Sequence, residues 1–240
     1  MRFLTACPIL AAACAAACAW TPPALALRAG DNIIGLGIAS INPDASLGPL
    51  SSSGPAAVPF NIATAGATAH ISPATTVSLG WLHMFTDNLG LEATIGVPPK
   101  LHVDVQLASG NLPGAATAKV LTPTAIGKYF FGTVDSKWRP YLGLGVTHAS
   151  FSSVRVNTGV PTLNSLAGGS ASLSSKWAPT YNVGLVYDLG SRWSINASAT
   201  YIPLKTNVSF SGAAIGTGTT TTGRLTVNPT DYVVRVGYRF

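Results

Sequence analysis

The strand pattern at the end of this chain constrains its fold most. Tyr232, Val234, Val236, Tyr238 and Phe240 alternate with Val233, Arg235, Gly237 and Arg239. A period of two is the period of a β-strand, so one face of this segment is large and apolar, while the other carries a glycine and two arginines. A closing strand that ends on an aromatic is expected of an outer-membrane barrel, where the ring sits at the membrane–water interface.

The other end reads as a targeting segment. Arg2 is followed by an alanine-rich apolar run from Phe3 to Trp20, and Ala24-Leu25-Ala26 then offers the small-x-small pattern of signal peptidase. Residues 1–26 are therefore expected to be a cleaved signal peptide and residues 27–240 a barrel. An uncleaved anchor is the alternative, against which stand Pro8 inside the run and Pro22-Pro23 after it. A lipid attached at Cys14 or Cys18 is a further alternative, but only alanines precede each of them. All three cysteines (Cys7, Cys14, Cys18) fall in this segment. The mature chain would have no disulfide, no thiol nucleophile and no cysteine metal site, which suits a protein that crosses an oxidising periplasm unfolded.

Composition points the same way. The chain is 47% hydrophobic and only 9% charged, yet no stretch after Trp20 is long enough for a spanning helix. Apolar residues spread one in two over many strands give this combination. The net charge of +6 is modest, and no dense Lys/Arg patch is interleaved with aromatics, so nucleic acid is not expected as a partner.

Eight strands are expected, at about residues 32–41, 68–85, 89–97, 119–131, 141–153, 176–189, 193–211 and 225–240. Polar, Gly/Pro-rich loops connect them in the order long, tight, long, tight, long, tight, long. Such sorting by length is the mark of an eight-stranded antiparallel transmembrane β-barrel, an all-β fold with short periplasmic turns and long outer loops. Trp81, Trp138, Trp193, Tyr238 and Phe240 fall near the tight-turn ends, where interfacial aromatics anchor a barrel in the bilayer. A soluble sandwich also alternates, but has no use for an aromatic girdle.

Several segments resemble the outer membrane protein W (OmpW) family: Phe85-Thr86-Asp87-Asn88, Tyr129-Phe130-Phe131-Gly132, the run from Ser136 to Gly145 that contains Lys137-Trp138-Arg139-Pro140-Tyr141, Trp193-Ser194-Ile195-Asn196-Ala197-Ser198, Val227-Asn228-Pro229 and Gly237-Tyr238-Arg239-Phe240. The resemblance runs from about Gly30 to Phe240. It implies an outer-membrane barrel that passes small hydrophobic or amphipathic solutes, entering from outside and leaving sideways into the bilayer. Family members line the middle of the lumen with bulky apolar residues. The matching positions here are Thr94 and Thr200, and the inward set Ser194, Asn196, Ser198, Thr200 is polar and small. That wall suits an amphipathic or polar solute better than a purely apolar one.

Strand charges belong in the lumen, because on the lipid face they cost free energy. Glu92, Lys128, Asp188, Asp231, Arg235 and Arg239 are assigned there. Counting from the turns puts Glu92 and Lys128 at one level with Arg235 across from them, so an ion cluster is expected to fill the periplasmic half. Such a cluster either only packs the interior or takes part in transport. Glu92, Thr94, Lys128, Asn196, Ser198, Thr200 and Arg235 are the expected lumen-lining residues. Pro98, Pro99 and Pro123 remove ladder donors between the third and fourth strands, which makes that seam the expected lateral opening. The expected partners are the lipid bilayer, the small solute and, through the C-terminal strand, the barrel assembly machinery. No cofactor or metal is expected: His70, His83 and His102 have no ligand spacing.

Two other functions fit less of the chain. His148-Ala149-Ser150 resembles the His-x-Ser of a lipid A deacylase, but no carboxylate is placed to orient the histidine. A structural, adhesive or receptor barrel acting through its Ser/Thr/Gly loops is the second.

Overall fold

Alternation of side chains decides the architecture, and the computed structural model describes it for residues 27–55, 57–157, 159, 170–211 and 219–240. The expected signal peptide lies outside the described residues. In chain order the elements are β1 (Asn32–Asn42), β2 (Ala45–Leu47), β3 (Ser51–Ser53), α1 (Ala57–Ala63), β4 (Thr68–Ile71), β5 (Ala74–Met84), β6 (Leu89–Gly96), β7 (Lys100–Leu107) and β8 (Gly110–Leu121). They continue as β9 (Thr124–Phe130), β10 (Trp138–Val156), β11 (Ser170–Leu173), β12 (Lys176–Gly190), β13 (Trp193–Tyr201), β14 (Leu204–Ser211), β15 (Thr220–Val227) and β16 (Thr230–Arg239).

Eight of these strands close a ring in the antiparallel order β1-β5-β6-β9-β10-β12-β13-β16, with β16 paired back onto β1 from Ile33↔Arg239 to Asn42↔Thr230. Closure removes the sheet edges that hydrocarbon could not satisfy. On the outer wall of this ring Leu36, Ile38, Leu79, Leu142, Leu144, Val183 and Val236 are exposed. Alternate positions of the strands, among them Ser78, Glu92, Lys128, Thr147, Asn182 and Arg235, are buried in the lumen.

Above the ring, at the long-loop end, the wall continues as two separate sheets. One adds β8, β7 and β4 to the upper part of β10, and the other runs β11-β14-β15-β2 with β3 also on β15. Here the expectation needs correcting. Residues 100–118 read as a polar connection but form most of a hairpin, β7–β8, and the first long loop contains β2, β3 and α1. Lys100–Leu107 alternates cleanly, with Leu101, Val103, Val105 and Leu107 turned inward. The prolines ahead of it read as the end of a strand, whereas in a closed barrel they only interrupt one.

The interruption lies at one level around the wall. Pro43, Pro73, Pro98-Pro99, Pro123, Pro203 and Pro229 all fall between the upper and lower segments of their strands. Proline supplies no ladder donor, so each marks a break or a bend. The ladder passes some of these points with little loss: Ile202 N donates to Pro229 O at 3.1 Å and His148 N to Pro123 O at 3.0 Å. Between the third and fourth strands it does not. Pairing stops at Thr94↔Thr124 and resumes only at Lys100↔Lys119. On the other flank, β5–β6 pairing and its extension end at Val97 N to Val77 O, and bonding resumes at Ser72 N to His102 O. Pro98-Pro99 is thus unladdered on both sides.

Candidate functional site

The lumen is stratified, and each layer follows from what the inward positions carry. At the long-loop end lies an apolar cavity of about 130 Å3, lined among others by Val103, Val105, Ala118, Val154, Val208 and Phe210. Beneath it Ile71, Leu101, Val120, Leu225 and Val227 pack into an aliphatic layer. Next comes a polar cavity of about 60 Å3, whose wall includes Thr94, Ser198, Thr200, Asn182 and Asp231. A row of hydroxyls runs along the lumen wall near this level: Thr147 Oγ1 lies 2.8 Å from Thr124 Oγ1 and 2.6 Å from Thr180 Oγ1.

Below the polar cavity sits the ion cluster. Lys128 Nζ donates to Glu92 Oε2 at 2.6 Å, and Arg235 Nη1 donates to Glu92 Oε1 at 2.9 Å. Arg235 Nε and Nη2 both donate to Ser78 Oγ, at 3.1 and 2.8 Å. Lys128 also bonds the Tyr141 hydroxyl at 3.2 Å, and Asn196 Nδ2 donates to that hydroxyl at 3.0 Å. All three charged side chains are almost fully buried, at 1% exposure for Lys128 and 6% for Glu92 and Arg235. Glycines make the room. A Cβ on Gly80 would stand 3.1 Å from the Arg235 guanidinium, one on Gly35 3.3 Å from its stem, and one on Gly184 would collide with the Tyr141 ring.

Under the cluster the expectation of an ion-filled periplasmic half gives way to a hydrophobic base. Leu27, Ile33, Leu82, Met84, Phe130, Tyr141 and Val186 form one buried group. Arg139 ties it off: Nη1 donates to Leu27 O at 2.8 Å and Nη2 to Asp87 O at 2.6 Å, with the guanidinium 5.5 Å from the Phe130 ring centre. Two of the charges assigned to the lumen lie at this rim instead. Asp188 Oδ1 accepts from Gly190 N at 2.6 Å within its own turn, and Arg239 pairs with Asp31 at 3.4 Å.

The structure brings Glu92, Lys128 and Arg235 together and sets Asn196 beside them through Tyr141. Thr94, Ser198 and Thr200 stand one layer higher. Sequence reasoning did not single out Tyr141, Ser78, Asn182 or Arg139. The glycines opposite long inward side chains were the available signal. Trp81, Trp138, Trp193 and Phe240 are exposed at the tight-turn rim, with Trp138 against Tyr187 at 4.3 Å and Trp193 against Tyr238 at 4.9 Å between ring centres. A second aromatic set, including Trp177, Tyr181, Tyr201 and Tyr232, is exposed towards the other end. Between them β10 runs from Trp138 to His148, about 25 Å of height for a tilted strand, which matches the apolar band of such barrels. A groove of about 680 Å3 on this outer wall, over Gly127 and between Leu142, Leu144 and Tyr181, faces acyl chains rather than the lumen.

Ser150 Oγ does approach His148 Nδ1, at 3.2 Å, but the imidazole packs on Trp177 at 4.7 Å and, among the described residues, no carboxylate pairs with it. A nucleophilic serine needs its base oriented by a third group. Among the described residues no cluster of metal-ligating side chains occurs.

A closed antiparallel barrel with an apolar outer wall, two aromatic belts and a charged interior is a β-barrel of the outer-membrane type. The OmpW family model matches residues 28–240, and the chain belongs to that family. It is 29% identical to outer membrane protein W of Vibrio cholerae over 225 residues, 91% of this chain and 92% of that protein. The crystal structure of OprG from Pseudomonas aeruginosa superposes with a TM-score of 0.77 at 27% identity, covering 90% of this chain and 98% of that one. The fold is also that of AlkL in lipid bilayers, with a TM-score of 0.66 at 21% identity over 92% of this chain and 95% of that one. The protein is an outer-membrane barrel, so its tight turns are periplasmic and the apolar cavity opens on the outer side.

Proposed function

We propose that this barrel takes up small hydrophobic or amphipathic molecules, which enter the outer chamber, pass the aliphatic layer and leave sideways into the bilayer between the third and fourth strands. The observation that carries this reading is the apolar cavity of about 130 Å3 held above the membrane by β7, β8, β14 and β15. Apolar walls in a water-facing extension are unfavourable unless something apolar is meant to enter. Straight passage to the periplasm is opposed by two packed layers, the ion cluster and the hydrophobic base. A side exit is favoured by the unladdered Pro98-Pro99 segment, which borders the polar cavity through Thr94, Ile95 and Gly96. The polar wall at Thr94 and Thr200 then tunes what passes, while affinity for the apolar part comes from the chamber above.

A disulfide across the seam tests the exit. Val120 is turned into the aliphatic layer, so the partner for Val97 is the half-buried Leu121, which shares its face of the strand with the exposed Lys119. The double variant Val97→Cys, Leu121→Cys is expected to abolish protein-dependent uptake of octan-1-ol by whole cells when oxidised and to restore it on reduction. Uptake that is the same in both states would exclude this exit. Ala118→Phe, which fills the chamber, is expected to slow uptake whichever exit is used.

A further inference from the structure

We propose that the polar cavity beneath the aliphatic layer binds the primary ammonium head of a small amphipathic amine, with Asp231 as its acceptor and Asn182 in the facing wall. The proposal deepens the uptake reading and depends on it, since a solute must reach the lumen to be held there.

Among the described residues, two buried oxygens at this cavity find no partner: Asn182 Oδ1 and Asp231 Oδ1. Asn182 is only 6% exposed, and its orientation is fixed because its Nδ2 donates to Thr200 Oγ1 at 2.9 Å and to Ala199 O at 3.2 Å. The two residues stand in one row, because Asn182 is in register with Thr200 and Thr200 with Asp231. Neighbouring strands place the two Cα atoms about 10 Å apart, and both residues line the cavity, with Asn182 Oδ1 turned to the Gly143 side and Asp231 beyond Thr200. Buried acceptors need donors, and an ionised carboxylate needs one that carries charge.

Among the described residues none supplies such a donor. Lys128 and Arg235 give their charge-bearing nitrogens to Glu92, Ser78 and Tyr141. Arg235 is four residues further along β16 than Asp231, about 10 Å lower on a tilted strand, at the floor of the cavity. A neutral hydroxyl head could satisfy one acceptor with its single proton. A primary ammonium donates three times and neutralises the carboxylate. A calcium ion would want six to eight oxygens, more than this wall offers. The cavity, about 60 Å3, has room for roughly two water-sized groups, which suits a methylene and its ammonium. The alkyl tail would then point up into Leu225, Val227 and their neighbours.

The layer below gives the site a consequence for routing. Glu92 meets two cations, so the ion cluster carries an excess positive charge. A cationic head held at Asp231 is repelled from going deeper. The wall beside it is the interrupted seam at Thr94–Gly96, so sideways departure is the remaining course.

The test uses the full mature chain in lipid nanodiscs, titrated with hexylammonium chloride and, separately, with hexan-1-ol, while the Asn182 side-chain amide and the Thr200 and Asp231 backbone amides are followed by NMR. Hexylammonium is expected to shift these signals saturably, with an affinity about tenfold above that of hexanol, as charge-assisted hydrogen bonds are stronger by that much. Asp231→Asn should remove the preference, bringing the affinity for hexylammonium down to that for hexanol. Equal responses to amine and alcohol in the unmodified protein, an unaltered preference in Asp231→Asn, or the same shifts from sodium chloride alone would each overturn the assignment. Signals of Val103 and Val208 in the apolar chamber separate the two readings. If hexanol moves them while the amine spares Asn182, this site falls and the uptake reading stands; if neither ligand moves any of them, both fall.

Discussion

From the ring of prolines down to the ion cluster the barrel is apolar outside and polar inside; above the ring the same pleat carries the opposite arrangement. Leu89, Leu91, Ile95 and Val97 of the third strand face lipid, whereas Leu101, Val103, Val105 and Leu107 of its continuation face the chamber. All eight are odd-numbered. An unbroken strand would keep them on one side, because a period of two admits no exchange of faces. The Pro98-Pro99 kink performs the exchange. The fifth strand does the same with a bulge between Ser152 and Arg155, where Ser153 has φ of 51°. Leu142, Leu144 and Val146 point out before it, and Val154 and Val156 point in after it. One inserted residue flips every later side chain. The eighth strand solves the same problem without a flip. Its apolar residues change parity instead, from the inward Leu225 and Val227 to the outward Val234 and Val236. The surrounding medium changes from acyl chains to water at this level, and each strand inverts its polarity by whichever device its sequence supplies.

The contrast can be tested by substitutions ordered by expected effect. Glu92→Gln should be the most damaging, because it leaves Lys128 and Arg235 buried without a counter-charge; a loss of about 3–5 kcal/mol of unfolding free energy is expected in a urea titration of the lipid-embedded protein. A loss near zero would mean that the cluster is hydrated rather than packed. Leu144→Arg places a cation on the lipid face and should cost about 2–4 kcal/mol. Ser152→Arg makes the same change eight residues along the same strand, above the ring of prolines, and should be neutral within about 0.5 kcal/mol. Equal effects at these two positions would remove the proposed boundary. Thr147→Val breaks the hydroxyl row, leaving Thr124 and Thr180 without their partner, and should cost about 1–3 kcal/mol. Trp138→Ala removes the ring contact with Tyr187 at the periplasmic belt, for about 0.5–1.5 kcal/mol in the same titration.

The alternation around Tyr232 to Phe240, the sorted loop lengths and the aromatic positions were enough to read a barrel and its direction. Inward charges could be named from the cost of placing them in lipid, and heights counted from the tight turns brought Glu92 level with Lys128. The same counting failed above the prolines. Pro98-Pro99 looked like an end, so residues 100–118 passed for a loop although Lys100–Leu107 alternates as cleanly as any spanning strand. The apolar chamber was hidden for the same reason: Val103, Ala118, Val208 and Phe210 meet only when the β7–β8 hairpin and the distant β14 curl over the barrel mouth. The orphan pair Asn182 and Asp231 was equally out of reach, since a missing partner is visible only once every neighbour has been placed.

By itself the sequence determined which residues face which way within an uninterrupted strand, because the pleat assigns them by parity and lipid enforces the assignment. Ring closure alone decided how those faces meet across the lumen, and where a kink or bulge exchanges them. Those outcomes depend on register between strands far apart in the chain, and no local pattern encodes register.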